Sequence, residues 1–267
     1  MENNLDLRFA PHSRTVICAP SNSGKTVLLS KFLTDPSVFE RKLDKIYYFY
    51  DVYQRSIFEK MNHQSGGTIC FIRDLDRLNE VVSKAMEGEY ENQRIGIVLD
   101  DLQMEAMASP LIAKLFTTYG HHLFEQTFFL MQNYFFQTKY STTIMRNCSH
   151  VVILRSPRLK GVIPLINKSL FPGEKKKLEY VYSFIENIPY AYLIINMLAE
   201  EKDLFYTGIC DGETVQIFRK CNCPGWYRDK IQKLIKLWCC ELWIWTNKAF
   251  FEKCLYTESA MQRISLT

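Results

Sequence analysis

The sequence predicts an α/β protein, a mostly parallel β-sheet covered by helices, with a helical extension after residue 220. Three observations predict it. Short β-rich runs alternate with helical patterns along the chain, as in successive β-α-β units. Ile95–Leu99 is nearly all apolar and Gln126–Met131 ends in the apolar run Phe128–Met131, which fits strands buried on both faces. Ser23-Gly24-Lys25-Thr26 stands where one such strand hands over to a helix.

Composition sets the outer bounds. The 267 residues suffice for one large domain plus an extension, read here as 1–220 and 221–267. An apolar fraction of 47%, with 18 Phe and 15 Tyr, can fill a sizeable core and argues against a disordered chain. The net charge of +4 admits a nucleic-acid partner without arguing for one. Nine cysteines are scattered along the chain, and its start lacks the basic-then-apolar pattern of a secretory signal, so reduced thiols are expected. No apolar run approaches the roughly 20 residues that span a bilayer. The expectation is a soluble intracellular protein with no membrane partner.

The elements follow in order. Arg14–Cys18 is the first strand, and a helix over Thr26–Leu33 follows the Gly24 turn. The aromatic run Lys45–Tyr50 is a second strand and Thr68–Ile72 a third; Asp76–Glu87 is helical. Ile95–Leu99 is a central strand. Ser109-Pro110 opens another helix, with Ser as N-cap and Pro at the first helical position. Gln126–Met131 is a buried strand ending in the polar pair Gln132-Asn133. His150–Leu154 and Ala191–Met197 complete the sheet, and Glu200–Phe218 is a closing β segment. From Trp226 onward Trp, Cys, Leu, Lys and Ile crowd together without turn signals until about Thr246, which predicts the helical extension.

The chemistry is concentrated at three strand ends. Ala19-Pro20-Ser21-Asn22-Ser23-Gly24-Lys25-Thr26 has the composition of a phosphate-binding loop, in which backbone N–H groups at a helix N-terminus cradle a triphosphate. Lys25 would neutralise the β- and γ-phosphates, and the Thr26 hydroxyl would ligate Mg²⁺. Ala19 stands where this motif normally has Gly, which is tolerable if the backbone there keeps a negative φ. Ile95-Gly96-Ile97-Val98-Leu99 delivers Asp100 and Asp101 to the sheet edge where ligands of open α/β sheets sit. Asp100 suits the Mg²⁺ shell, and Asp101 suits a general base that orients the attacking water. The bland reading of Asp101 is a cap on the following loop. Gln132 can donate to a γ-phosphate and accept from the attacking water, provided its strand lies between the loop strand and the acid strand; otherwise it simply caps a strand.

Taken in order, SNSGKT, IVLDDL, LFTTYGHHLFEQTFFLMQNYFFQ and HVVILRSPR make the chain resemble the genome-packaging ATPases of Polinton (Maverick) elements, adintoviruses and poxvirus-like DNA viruses. These belong to the FtsK/HerA class of P-loop motors. The resemblance spans about Arg8 to Phe218, with 115–136 its most specific part. It implies an ASCE, RecA-like P-loop NTPase fold, ATP and Mg²⁺ as cofactors, and hydrolysis in a homo-oligomeric ring that draws double-stranded DNA through its centre. It also implies a capsid or portal partner and a place in the host nucleus or a cytoplasmic virus factory, or with the virion. Its site residues fall on Lys25, Thr26, Asp100, Asp101 and Gln132. An arginine from the neighbouring subunit would complete each site. Arg146, Arg155 and Arg158 are candidates, with Arg158 favoured by the segment Ser156-Pro157-Arg158; each reads equally well as a surface or DNA-phosphate arginine.

Two other functions share these features. A nucleotide or small-molecule kinase uses the same loop and acid, although no arginine-rich lid is visible. A divergent, endogenised P-loop protein with weak or lost activity is compatible with Ala19, with Ser141-Thr142-Thr143 lacking a basic residue, and with Leu159 replacing an acid. Lesser signals are weaker. His121-His122 are adjacent, so they do not converge on a metal. Cys221, Cys223, Cys239 and Cys240 lack a paired C-x-x-C knuckle. Lys175-Lys176-Lys177 reads as a solvated loop.

Overall fold

In chain order the strands are β1 Ser13–Cys18, β2 Lys45–Tyr50, β3 Ile69–Ile72, β4 Ile95–Asp100, β5 Gln126–Met131, β6 His150–Leu154, β7 Tyr192–Asn196, β8 Phe205–Thr207, β9 Val215–Lys220 and β10 Met261–Leu266. The structure, a computed structural model, describes residues 6–174, 176–199, 204–220 and 261–266. The strands form one sheet in the order β10-β9-β8-β7-β6-β1-β5-β4-β2-β3. From β3 to β6 neighbouring strands run parallel, and from β6 to β10 they run antiparallel.

Alternation along the buried strands divides the core into two layers. Val16, Cys18, Ile97, Leu99, Phe129 and Met131 face one side; Ile17, Val98, Phe128 and Leu130 face the other. The second layer is closed by α1 (Lys25–Thr34), through Leu28, Leu29, Phe32 and Leu33, and by α2 (Arg55–Gln64), through Phe58 and Met61. Each such side chain contributes about 1.5–3 kcal/mol when fully buried. The first layer packs against α3 (Arg77–Met86), α4 (Gln103–Ala108), α5 (Pro110–Lys114), α6 (Gly120–His122), α7 (Ser141–Asn147), α8 (Ile163–Leu170) and α9 (Lys177–Ile185). Ser109 caps α5, accepting from the Ile112 N–H at 3.4 Å, with Pro110 at the first turn as its sequence predicts. A π-helical turn, Leu115–Tyr119, joins α5 to α6. Gly120 is required there because a Cβ would fall on the Leu115 carbonyl oxygen.

The predicted closing β segment is two strands, β8 and β9. The connection between them is tied to α1: the Asp211 N–H donates to Asp35 Oδ2 at 2.6 Å, and Lys31 pairs with Glu213 at 3.1 Å. The helical reading of the extension needs correction at 261–266. Here β10 pairs antiparallel with β9, from Met261↔Lys220 to Leu266↔Val215. Without it β9 would leave a row of backbone groups unpaired, and a strand neighbour overrides a local helical pattern. Residues 221–260, which carry the rest of that expectation and the cysteines Cys221, Cys223, Cys239 and Cys240, lie outside the described residues. Among the described residues no helix is long and apolar enough to cross a membrane.

Candidate active site

The phosphate-loop segment lies between β1 and α1, at the C-terminal edge of the parallel strands. Asn22 (φ 63°) and Gly24 (φ 89°) both take the left-handed conformation. Such turns aim successive N–H groups into one concavity, the geometry that binds anions. A Cβ at Gly24 would meet nothing within 4 Å, so conformation rather than space demands glycine there. Ala19 is not among the positive-φ residues, so its Cβ adds no backbone strain at the position where the motif normally has Gly. It is buried, and its N–H donates to the Met131 carbonyl at 3.1 Å, which ties the loop to the end of β5.

Lys25 opens α1 and folds back over the loop. Its amine donates to the carbonyls of Ala19 at 2.8 Å and Pro20 at 3.3 Å. Burial lowers its pKa; the charges of Asp101, Asp100 and Cys18 act in the opposite direction but do not cancel the desolvation. An anion in the concavity would offset that desolvation.

Asp100 ends β4, fully buried. Its Oδ2 accepts from the Tyr48 hydroxyl at 2.6 Å and from the Thr26 hydroxyl at 3.1 Å, while Gln54 Nε2 donates to Thr26 Oγ1 at 3.4 Å. Its Oδ1 is buried and has no hydrogen-bond partner. Desolvation raises the Asp100 pKa to about 6, and the charge of Asp101 adds to the rise; Tyr48, Thr26 and Lys25 lower it by less. A buried carboxylate oxygen without a donor, beside a threonine hydroxyl, fits Mg²⁺: both are hard oxygen donors, and a cation would supply the missing compensation. Thr26 and Asp100 are the residues that would hold it.

Asp101 follows in the left-handed conformation (φ 57°), which turns its carboxylate away from Asp100's surroundings toward the end of β5. Gln132 is exposed immediately after β5, and its Nε2 donates to Asp101 Oδ1 at 3.2 Å. Gln103 fixes this turn from α4. Its Oε1 accepts from the N–H groups of Gln132 (2.9 Å) and Asn133 (3.2 Å), and its Nε2 donates to the Asn133 carbonyl at 2.7 Å. The loop, both acids and Gln132 therefore come together, because β5 lies between β1 and β4.

The arginines stand apart from that cluster. Arg158 is exposed in a 3-10 turn, Pro157–Leu159, one strand over at the end of β6, and it makes no ion pair among the described residues. Arg155 donates from Nε to the Glu186 carbonyl at 2.8 Å, which anchors it within its own chain. Arg146 is exposed near the end of α7. His121 contacts the Arg14 guanidinium.

Sequence reasoning missed Tyr48, Gln54 and Gln103. Only Tyr48 left a signal: a tyrosine at the centre of an apolar strand has a hydroxyl that must find a partner once buried.

No family model matches the chain, and no curated protein matches it. Solved structures do. The genome packaging NTPase B204 from Sulfolobus turreted icosahedral virus 2, in complex with ATP-gammaS, is similar over 71% of this chain and 94% of its own, with TM-score 0.49 and 11% identity. The conjugation coupling protein TcpA of pCW3, with ATPgS, is similar over 73% of this chain and 60% of its own (TM-score 0.45, 14% identity). A KaiC-like protein of Pyrococcus horikoshii OT3 is similar over 80% of this chain and 88% of its own (TM-score 0.40, 12% identity). The fold is an α/β P-loop fold, as this chain's own strand order and loop geometry establish.

Proposed function

We propose that the chain is a Mg²⁺-dependent ATPase and works as one subunit of a ring that moves double-stranded DNA, as in genome packaging. The observation that carries the hydrolytic part is the bond between Gln132 and Asp101, held at the mouth of the phosphate loop. Such a pair can grip a water between an acceptor carboxylate and an amide. A kinase must instead keep water out and receive an acceptor.

Each residue has a task in this reading. The loop N–H groups bind the triphosphate, and Lys25 exchanges its carbonyl partners for phosphate oxygens. Asp101 accepts a proton from the attacking water while Gln132 orients it. Thr26 and Asp100 would hold Mg²⁺, which would supply charge neutralisation for the triphosphate. Charge that develops on the γ-phosphate also needs a positive charge on its open side, and the chain's own candidate arginines stand apart from the cluster. Arg158, exposed at the same sheet edge, suits delivery to a neighbouring subunit. The DNA part of the reading rests on the resemblance of the four sequence segments. Ala19, the main ground for a reading of lost activity, is free of strain.

An ATPase assay across protein concentration, with and without double-stranded DNA, tests the whole reading. Turnover should rise more steeply than linearly with concentration. DNA should stimulate it, and stimulation should fade with salt. Neither Lys25→Ala nor Arg158→Ala protein should turn over alone, whereas their mixture should recover activity at the interfaces that combine one intact loop with one intact arginine. A monomer whose turnover is linear in concentration and indifferent to DNA would remove the motor from the proposal.

A further inference from the structure

Beside the phosphate loop, on the α1 side, lies a cavity of about 330 Å³. Gly24 of the loop forms one wall, and Val27, Leu28, Leu154 and Tyr190 contribute apolar lining. Two of these are conspicuously open to solvent: Tyr190 is 87% exposed and Val27 49%. Tyr190 is also held at φ 58°, a left-handed conformation that bulky residues rarely adopt. An aromatic ring presented to solvent from a strained backbone, next to a phosphate site, is what a stacking platform for a planar ring requires.

Three polar side chains of the cavity, Lys31, Tyr192 and Glu213, are already engaged with one another. Glu213 Oε1 accepts from Lys31 at 3.1 Å, and its Oε2 accepts from the Tyr192 hydroxyl at 2.6 Å. That hydroxyl in turn accepts from the Ile209 N–H at 3.0 Å. A carboxylate with a free edge could select guanine through its N–H groups, but this one has a donor on each oxygen. The remaining Lys31 hydrogens, on a flexible and solvated stem, can meet an acceptor on either purine.

We propose that this cavity seats the nucleobase of the bound triphosphate, with the Tyr190 ring stacked on it, and that it takes adenine and guanine without distinguishing them. The proposal rests on the reading of Ala19–Thr26 as the triphosphate loop. Stacking recognises the π-face that every base has, so it gives affinity without selectivity. Selectivity would need a buried polar group left unpaired by the wrong base, and the paired groups around Glu213 offer none.

The test uses calorimetric titration of the full chain with ATP, GTP and inorganic tripolyphosphate, each with Mg²⁺. Wild type should bind ATP and GTP within about threefold of each other. Tyr190→Ala should weaken both by about tenfold and leave tripolyphosphate unchanged, while Tyr190→Phe should bind all three like wild type. Because Tyr190 is exposed, the truncation removes no core contact. Equal ATP affinity in Tyr190→Ala and wild type would overturn the base seat, as would a loss shared equally by tripolyphosphate. A wild-type preference of thirtyfold or more for one purine would overturn the lack of selectivity. Tripolyphosphate binding that disappears in Lys25→Ala separates the two layers: if it is present, the loop reading stands whatever Tyr190 does, and if wild type binds none of the three probes, the loop reading falls and the base seat falls with it.

Discussion

Gln132 donates its side-chain amide to Asp101 across 3.2 Å, joining the ends of two adjacent strands whose residues lie 31 positions apart. Neither strand alone predicts the bond. It exists because β5 is inserted between the strand that carries the loop and the strand that carries the acids, and because the backbone at Asp101 turns left-handed.

That pair should be separable from binding. Asp101→Asn and Gln132→Ala are both expected to keep ATP affinity within about threefold of wild type. Each should lower the single-turnover rate about a hundredfold, the usual scale of a lost general base or positioning group. Asn also tolerates the left-handed conformation at residue 101, so the first variant should fold normally. Rapid-quench measurement of phosphate release decides the point, and a wild-type rate in Asp101→Asn would remove it from the chemistry.

Asp100 should show the opposite trade. Its folded pKa of about 6 lies above the ordinary 3.8, so the carboxylate is costly to ionise in the folded chain. At neutral pH that penalty is on the order of 1–3 kcal/mol and is absent in the neutral amide. Asp100→Asn is therefore expected to raise the melting temperature of the ligand-free protein while it abolishes the Mg²⁺ dependence of nucleotide affinity. Melting curves with EDTA and with Mg²⁺-ATP check both halves; a lower melting temperature without ligand would show that the hydroxyls of Tyr48 and Thr26 compensate the charge better than its pKa indicates.

His150 sets an acid limit. It is fully buried at the start of β6; its Nδ1 meets Ser149 Oγ at 3.0 Å, its Nε2 has no partner, and the Phe9 ring lies edge-on at 5.0 Å. Burial, with a smaller contribution from the Arg14 charge, lowers its pKa from 6.5 to about 3. Between those values the unfolded chain holds a proton that the folded chain refuses. The stability this residue contributes is whole above pH 6.5 and falls on acidification by up to about 1.4 kcal/mol per pH unit. Urea unfolding at pH 7 and pH 5 should differ by about 2 kcal/mol less in His150→Gln than in wild type. Parallel pH dependence in the two proteins would place the acid sensitivity elsewhere.

The contrast between what the sequence announces and what it hides follows from range. β2, β5 and β6 have the bounds their apolar runs predict, because a strand buried on both faces declares itself residue by residue. The loop and acids are legible for a similar reason: each is a local pattern with one physical use. α2 is harder to see, since only Phe58 and Met61 of its ten residues are buried and, Ile57 apart, the rest is polar. Tyr48 and Gln103 act on residues 52 and about 30 positions away, so their roles arise only once the sheet has formed. The same holds for Met261–Leu266, whose conformation is set by the strand it pairs with.

The ties between α1 and the β8–β9 connection make the sheet a lever. Asp35 holds the Asp211 N–H and Lys31 holds Glu213, so the helix that begins at the phosphate loop is fastened, about two and three turns later, to the antiparallel edge. Displacement of α1 along its axis must drag that connection, and with it the outermost strands. The helix that carries the phosphate loop and the antiparallel half of the sheet are thus joined outside the core as well as within it.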